Sequence, residues 1–389
     1  MGGDNKELAE ERIGRLAGRG LDVATFFEEA ADAIVAAVPS SVAPSWTTLD
    51  PASLLITSSV CEGMAEITHE MLLVEYLEDD VMKAVDVARS ERGIHTLLEA
   101  TGGNPTRSRV YREYMQPRGI EHMVDVALRA RSGDVWGTVS LAREPGLPEF
   151  NSDELDFLVA VAPYFAEGVR RGLLVGEATD AETPDAPGLV VLDRDWSVAS
   201  LTPGVERWLS ELPGGDFDGE GKLPTSVVAV AARALRTAED EDAPGEVAVS
   251  RVLSRAGRWV MLHGAALVAE DARRVAVIVE PAGPARIIPL LMAAYGLTER
   301  EQDVTRLVLR GDSTTQIADT LFVSPHTVQE HLKSVFEKTG VRSRRELVGK
   351  VFFSHYEPRV RDNEQRVVVD KPIRGGPFPL QSDTPSRTT

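Results

Sequence analysis

The segment from Ser324 to Gly340 carries residue types suited to chemistry with another molecule, and its sequence is SPHTVQEHLKSVFEKTG. If this segment is a helix, Val328, Leu332 and Val335 share one apolar face. The opposite face then carries the polar side chains His326, Gln329, Glu330, Lys333 and Glu337. In a groove of DNA, Gln can bond adenine in two places, Glu can accept from cytosine and Lys can donate to guanine. These three side-chain types can therefore form hydrogen bonds with base edges.

The charge of the chain, formally −19, opposes binding to a polyanion such as DNA. Between residues 297 and 353, however, nine Lys/Arg face eight Asp/Glu, a net of +1. The remainder of the chain carries 33 basic and 53 acidic residues. The acidity therefore belongs to the other domains.

Helix starts and stops are frequent around this segment. Hydroxyl residues followed three positions later by Glu or Gln predict capping boxes at Thr298 with Glu301, Ser313 with Gln316, and Ser343 with Glu346. Ser324 precedes Pro325, a residue well tolerated at the first position of a helix. Gly311 and Gly340 stand where a left-handed residue ends a helix.

These signals predict short helices over about 299–310, 314–321, 325–339 and 344–352. The connection between the second and the third is Phe322, Val323 and Ser324, which is typical of a helix-turn-helix.

This window resembles the LuxR-type helix-turn-helix of bacterial transcription regulators. The matching residues are Leu297, Thr298, Arg300, Glu301, Val304, Leu307, Gly311, Ser313, Ile317, Ala318, Leu321, Ser324, Thr327, Val328, His331, Lys338, Ser343, Arg344 and Glu346. The resemblance implies DNA binding through the third helix and a dimer contact through the fourth.

The resemblance also implies site residues. Base reading is expected of Gln329, Glu330, Lys333 and His326. Phosphate contact is expected of Ser313, Thr315, Ser324, Thr327, Lys338, Arg342 and Arg344. The dimer contact is expected of Leu347, Val348 and Val351.

The window departs from the family at two positions that often hold a basic residue, Thr315 and Gln329, while Glu330 adds a negative charge. Fewer cations predict weaker binding, a shallower salt dependence and a greater need for dimerisation.

Upstream, the first part of the chain combines helices and a hairpin. Apolar residues at helical spacing predict a helix from Leu21, and two strand-like runs, MVDVALRA and VWGTVSLA, flank a turn at 131–134. Asn151 with Glu154 caps a further helix, in which Pro163 predicts a kink. The hairpin and the following PEFNSDELDFL resemble the C-terminal part of a GAF domain, and the resemblance spans Leu21 to Leu173.

A second block follows a linker rich in Ala, Asp, Glu, Thr and Pro. It opens with a strand, a DRDW turn, a second strand and a helix start, and it ends with two strands in GRWVMLHGAALVAEDARRVAVIVEP. This order resembles a PAS domain.

We therefore expect an α+β multidomain chain of 389 residues, too long for one core. Its parts are a GAF-like α/β sandwich, a linker, a PAS-like α+β domain, an all-α four-helix LuxR-type helix-turn-helix and a disordered tail. Their predicted bounds are 1–174, 175–187, 188–285, 286–354 and 355–389.

Other classes of protein are less well supported. A single cysteine, Cys61, excludes an internal disulfide, and the histidines lack zinc spacing. No nucleophile and base can be paired, so an enzyme is not expected, and no cofactor is evident. A polar N-terminus and an apolar run of only 287–297 predict neither a signal peptide nor a membrane span.

The expected protein is a cytoplasmic, homodimeric regulator whose partners are double-stranded DNA and, as a further candidate, RNA polymerase. The ligand of its GAF-like or PAS-like domain is left open. Two rivals remain: an interaction protein that uses the helical module to bind another protein, and a sigma-like factor.

Overall fold

The computed structural model describes residues 2–61, 68–174, 187–213, 223–239, 247–268 and 273–350. Within these ranges, three regions follow one another along the chain. The first and second regions are each built on a five-stranded antiparallel sheet, and the third is helical. The predicted tail and nearly all of the predicted linker lie outside the described residues.

The first region has helices on both faces of its sheet. Its elements are α1 (Gly2–Gly18), α2 (Val23–Ala37), β1 (Ser45–Leu49), β2 (Ile56–Cys61), α3 (His69–Leu77), α4 (Ala84–Arg89), β3 (Ile94–Thr96), α5 (Leu97–Ala100), β4 (His122–Arg129), β5 (Val135–Arg143) and α6 (Ser152–Gly172). The strand order is β2-β1-β5-β4-β3.

The elements predicted for this region are present. The two strand-like runs form the hairpin β4–β5, and Asn151 and Glu154 form the capping box of α6. Strands β1 to β3 and helix α1 were not predicted, because they are short or polar and lack a clear period. Gly137 lets β5 pair closely with β1, since a Cβ there would lie 2.2 Å from the Thr47 carbonyl oxygen.

The two faces of this sheet differ in chemistry. One face packs its apolar side chains against α1, α2 and α6, and Trp46 stacks on Phe27 with ring centroids 4.6 Å apart. The other face lies beneath α3 and α4 and carries buried polar side chains from the three central strands: Ser45, Thr47, Asp125 and Thr138.

The second region repeats the strand order of the first. Its elements are β6 (Gly188–Leu192), β7 (Val198–Leu201), α7 (Val205–Glu211), α8 (Thr225–Glu239), β8 (Val249–Leu253), β9 (Trp259–Val268) and β10 (Arg273–Pro281). The sheet order is β7-β6-β10-β9-β8. The predicted opening and closing strands are β6, β7, β9 and β10, whereas α8 and β8 were not predicted.

Polar contacts join the three regions. The Arg251 backbone N–H and side-chain Nε of β8 donate to Asp50 Oδ2, next to β1, over 2.8 and 2.9 Å. Near the end of α6, the Arg170 guanidinium donates to the Ala294 carbonyl oxygen. The first region is therefore tied to the second and to the start of the third.

The third region is a bundle of short helices: α9 (Pro284–Ala294), α10 (Glu299–Leu309), α11 (Thr314–Leu321), α12 (Pro325–Thr339) and a helix over 344–350, here α13. The capping boxes predicted for α10 and α11 are formed. At α13, Ser343 accepts from the Glu346 N–H over 3.1 Å, but the Glu346 carboxylate accepts from the Arg342 N–H. The third predicted box is therefore formed on one side only.

The helices of the described part of the chain include none that is both long and apolar enough to cross a membrane.

Candidate functional site

Helix α12 presents the predicted base-reading residues to the exterior. Val328, Leu332 and Val335 are buried in the core of the third region. On the opposite face the side chains of the base-reading set are all exposed: His326, Gln329, Glu330 and Lys333. The face assigned from spacing alone is therefore the face that the structure exposes.

Local contacts fix where α12 begins and ends. Ser324 Oγ accepts from the Thr327 N–H over 3.1 Å and lies 2.8 Å from the Thr327 hydroxyl. Phe322 ends α11 in a left-handed conformation with φ 56°, and Gly340 ends α12 with φ 68°. Two predicted phosphate contacts, Ser324 and Thr327, thus also form the helix cap.

A buried carboxylate fixes α12 against α10. Glu301 is 5% exposed and accepts from Ser334 Oγ over 2.6 Å and from Lys338 Nζ over 2.7 Å. Burial by itself would raise the pKa of Glu301, but hydrogen bonds from Lys338, Ser334 and the Thr298 N–H outweigh it, so this pKa lies below its ordinary value. The orientation of the exposed face therefore depends on a contact inside the module.

This contact changes the role expected of Lys338. Its ammonium is paired with a carboxylate inside the module, which weakens its attraction for a phosphate. Arg344 is similarly engaged, because it donates to the Asp312 carbonyl oxygen over 2.7 Å and to the Thr314 hydroxyl over 3.1 Å. Both residues hold helices of the module together.

One surface depression collects residues from both predicted sets. Gln329 and Lys333 of α12 line it together with Arg342 and Arg344 from the segment before α13 and its first turn. Glu330 and His326 lie outside this depression but remain exposed on the same helix. The structure therefore brings base-reading and phosphate-binding candidates together across 329–344.

Few cations of the third region remain unpaired. Among the described residues from α10 to α13, three have a charged side-chain group with no hydrogen bond or ion pair to the protein: Lys333, Arg342 and Arg345. Ser313 and Thr315 are exposed at the start of α11, although Ser313 Oγ already accepts from the Gln316 N–H. The surface around α12 is thus only weakly cationic.

The predicted dimer contact needs correction at Leu347. This side chain is 0% exposed and belongs to the core of the third region, so it has no surface for a partner. Val348 packs against the same core and keeps part of its surface. Val351 lies outside the described residues.

A second candidate site is a pocket between the polar face of the first sheet and the segment from α3 to α4. Its volume is about 130 Å³. Asp125 of β4 and Glu75 of α3 both line it, together with Lys83. Burial raises the pKa of Glu75 to about 7, with the Asp125 charge adding to the effect, and burial likewise raises the pKa of Asp125 to about 7.

Sequence reasoning missed this pocket. The signal was available in HMVDVALR, where Asp125 stands at an inward position between apolar residues of the same strand. A carboxyl at such a position needs a partner or a cavity.

Two known families match parts of this chain. A family described as bacterial regulatory proteins, luxR family, matches residues 296–351. A GAF domain matches residues 26–168. The chain therefore contains a LuxR-type helix-turn-helix domain, which holds α12, and a GAF domain, which holds the pocket.

Two curated relatives match a short part of this chain. A Mycobacterium tuberculosis (strain H37Rv) protein named as an HTH-type transcriptional regulator, Rv0890c, is 56% identical over 52 residues, which are 13% of this chain and 6% of the relative. The HTH-type transcriptional regulator MalT of Yersinia pestis (strain Pestoides F) is 38% identical over 61 residues, 16% of this chain and 7% of MalT. The chain thus matches a small fraction of the length of these relatives.

Solved structures give weaker likenesses. A Vibrio cholerae VqmA–ligand–DNA complex is 16% identical, with 43% of this chain and 83% of that chain covered and a TM-score of 0.21. An Escherichia coli DhaR(N)–DhaL complex is 11% identical, with 71% and 87% covered and a TM-score of 0.22. Such scores mean that the whole chains do not superpose closely, and nothing further follows from them.

Proposed function

We propose that this protein is a one-component transcription regulator that binds double-stranded DNA through α12 and is not an enzyme. The observation that carries the proposal is the exposed face of α12, where Gln329, Glu330 and Lys333 stand opposite the buried apolar residues. The match to the luxR family over 296–351 supports it, because regulators of that family bind DNA.

The proposed contacts with DNA are of two kinds, to the bases and to the phosphate backbone. Gln329 would bond adenine, Glu330 would accept from cytosine and Lys333 would donate to guanine in the major groove. Arg342, in the same depression as Gln329 and Lys333, would contact a phosphate beside them. His326 would lie near the base edges at the start of the helix.

A homodimer would supply the affinity that one module lacks. Each phosphate that a cation neutralises releases counterions, so three unpaired cations give one module little affinity of this kind. Two modules that bind half-sites about one helical turn of DNA apart would combine their contacts. The accessible part of Val348 is our candidate dimer contact on α13.

The two sheet regions would act as sensors. We assign the first, the GAF domain, to a small ligand and the second to a PAS-like domain, which the shared strand order supports. Arg170 of α6 bonds the last residue of α9, so a change in the GAF domain would reach the helix that leads into the DNA-binding module. The site of action would be the cytoplasm, and RNA polymerase would be the partner at a promoter.

Titration of the full-length protein against fluorescent DNA from the region upstream of its own gene tests the proposal. Lys333→Ala should weaken specific binding by about 5- to 150-fold, the cost of losing one base contact. Glu330→Lys should tighten nonspecific binding and change the preferred sequence. Arg131→Ala, which removes an exposed cation from the GAF hairpin, is the matched control and should leave binding unchanged.

Absence of sequence-specific binding at low salt, with or without candidate ligands, would rule out direct DNA reading. The helical module would then be a protein-binding surface. Binding of a protein partner that is unchanged in Lys333→Ala and lost in Glu330→Lys would indicate this. Stable capture of core RNA polymerase without DNA would instead favour a sigma-like factor.

A further inference from the structure

The GAF pocket contains a buried carboxyl oxygen without a partner. Asp125 is 7% exposed, and its Oδ1 has no hydrogen bond from any of the residues that the structure describes. Asp125 lines the pocket, opposite Ser140 of β5 in the strand register. A buried polar atom without a partner costs free energy, so its persistence points to a group that is bound there.

The other charged groups of the pocket do not satisfy Asp125. Asp80 accepts from the Val81 and Val110 N–H groups over 2.8 and 2.9 Å. The Lys83 ammonium donates to the Glu78 carbonyl oxygen. Both groups are therefore already engaged by the backbone.

Glu75 is the second carboxyl with spare capacity. Its Oε1 accepts from the Ala84 N–H over 2.8 Å, and the described residues place no hydrogen bond on its other oxygen. Since Lys83 is the one basic residue among the described lining residues, the pocket has an excess of acidic groups. A cation complements such a site.

The remaining lining residues limit the size and type of that cation. The volume of about 130 Å³ is close to that of a cavity of roughly 150 Å³ that holds benzene. The described lining has no aromatic ring but several methionines, among them Met71, Met115 and Met123. Without a ring for a cation–π contact, a quaternary ammonium has little to bind, whereas an N–H donor meets two free carboxyl oxygens.

We propose that the GAF pocket binds a small primary or secondary ammonium compound of about six non-hydrogen atoms, whose N–H groups donate to Asp125 and Glu75. The apolar part of the ligand lies against the methionine side chains. This names the ligand class of the sensor in the proposed function and rests on that function for its regulatory role.

Protonation of Glu75 and Asp125 competes with binding of the ammonium compound. Glu75 faces Lys83, Asp125 and Asp86, and Asp125 faces Ser140; burial raises the pKa of both carboxyls to about 7. A cation requires the ionised carboxylates, while an alkylamine stays protonated well above this range. Affinity should therefore fall by about tenfold or more as the pH is lowered from roughly 8 to roughly 6.

Calorimetric titration of the full-length protein without DNA tests the proposal. The probes are cyclopentylamine and butylamine, each compared with its alcohol, cyclopentanol or butanol. We expect each amine to bind at least about tenfold more tightly than its alcohol, as a charge-assisted hydrogen bond predicts. Equal affinity for amine and alcohol, or no binding by either amine, would overturn the proposal.

Conservative variants locate the site. Asp125→Asn and Glu75→Gln keep the shape of the side chain and should each weaken amine binding by about tenfold or more. Glu91→Gln, which changes an exposed carboxylate of the same domain outside the pocket lining, should bind as the unaltered protein does. Amine binding that survives both pocket variants would place the ligand elsewhere and refute the assignment.

A negative result in the amine titration is distinguishable from a negative result in the DNA titration. Amine binding is measured without DNA, so its loss leaves the result of the Lys333→Ala experiment intact. A protein that binds the amines but no DNA would retain the ligand assignment and lose the proposed function.

Discussion

The two sheets of this protein have the same strand order but different interiors. In the GAF domain, the face beneath α3 and α4 carries buried polar residues and a cavity. In the second region, Val260, Val277 and Val279 lie in one apolar core with α8 residues such as Val230. The first face carries a cavity lined by polar residues, whereas the second packs apolar side chains against α8.

The difference shows that topology does not make a ligand site. Both regions connect their strands in the same order, so the pocket depends on Asp125 and its polar neighbours on one of the two sheets. In the second sheet, Gly264 allows α8 to lie close to β9, since a Cβ there would lie 2.7 Å from the Val230 carbonyl oxygen. Three substitutions test this comparison. The first breaks an ion pair between the two sheets, the second overpacks the interior of the second region, and the third removes a carboxyl from the interior of the GAF domain.

The largest effect is expected from separating the two sheets. Arg251→Met leaves the Asp50 carboxylate, whose side chain is 1% exposed, without its guanidinium partner. We expect a loss of roughly 3–5 kcal/mol in the free energy of unfolding, measured with urea, because a buried charge becomes uncompensated.

A surface pair is the control for this change. Arg274→Met removes an arginine that bonds Asp193 over 2.7 Å but is 48% exposed. It should cost less than about 1 kcal/mol. If both variants lost the same stability, Asp50 and Arg251 would not join the sheets as described.

Packing of α8 on the second sheet is expected to have the next largest effect. A Cβ at position 264 would lie 2.7 Å from the Val230 carbonyl oxygen and 2.9 Å from the Ala234 Cβ. Gly264→Ala should therefore cost about 1–3 kcal/mol by overpacking. In Gly18→Ala, at the end of α1, the new Cβ has no neighbour within 4 Å, so this control should be neutral or stabilising in the same urea titration.

The smallest effect concerns the polar interior of the GAF domain without ligand. The pKa of Asp125 is raised to about 7 in the folded protein, whereas an unfolded Asp titrates near 3.9. The folded state thus binds more protons between these values, and stability falls as the pH rises through this window. Asp125→Asn removes that dependence and should be more stable than the unaltered protein at pH ~8.

This stability difference should shrink as the pH is lowered toward about 4, where the unfolded carboxyl is also protonated. Glu91→Gln should show no such trend. An Asp125→Asn protein that is less stable than the original at every pH would mean that the carboxyl is satisfied in the absence of ligand.

The helix-turn-helix was largely predictable because its signals are local. Ser313, Thr298 and Ser324 each cap a helix through a residue three positions later, and Gly340 ends α12 through its own backbone conformation. The buried positions of α12 follow from the helical period. Contacts that span three or four residues form whenever the helix forms, so they can be inferred from sequence.

The pocket and the role of Lys338 were not predictable in this way. Glu75 and Asp125 lie on elements separated by half a domain of sequence, and Lys338 pairs with Glu301 through the packing of α12 on α10. The family resemblance implies a dimer contact at Leu347, but this side chain fills the core of its own module. Partners that are distant in sequence depend on how the elements pack.

The sequence by itself determined the helices of the helix-turn-helix domain, the exposed face of α12 and the β4–β5 hairpin, because caps, periods and turns act over a few residues. Only the tertiary structure decided which cations stay unpaired beside that face. It also decided that one of the two sheets with the same strand order encloses a pocket lined by carboxyl groups. Those outcomes depend on burial and on long-range electrostatic partners, which no short stretch of sequence specifies.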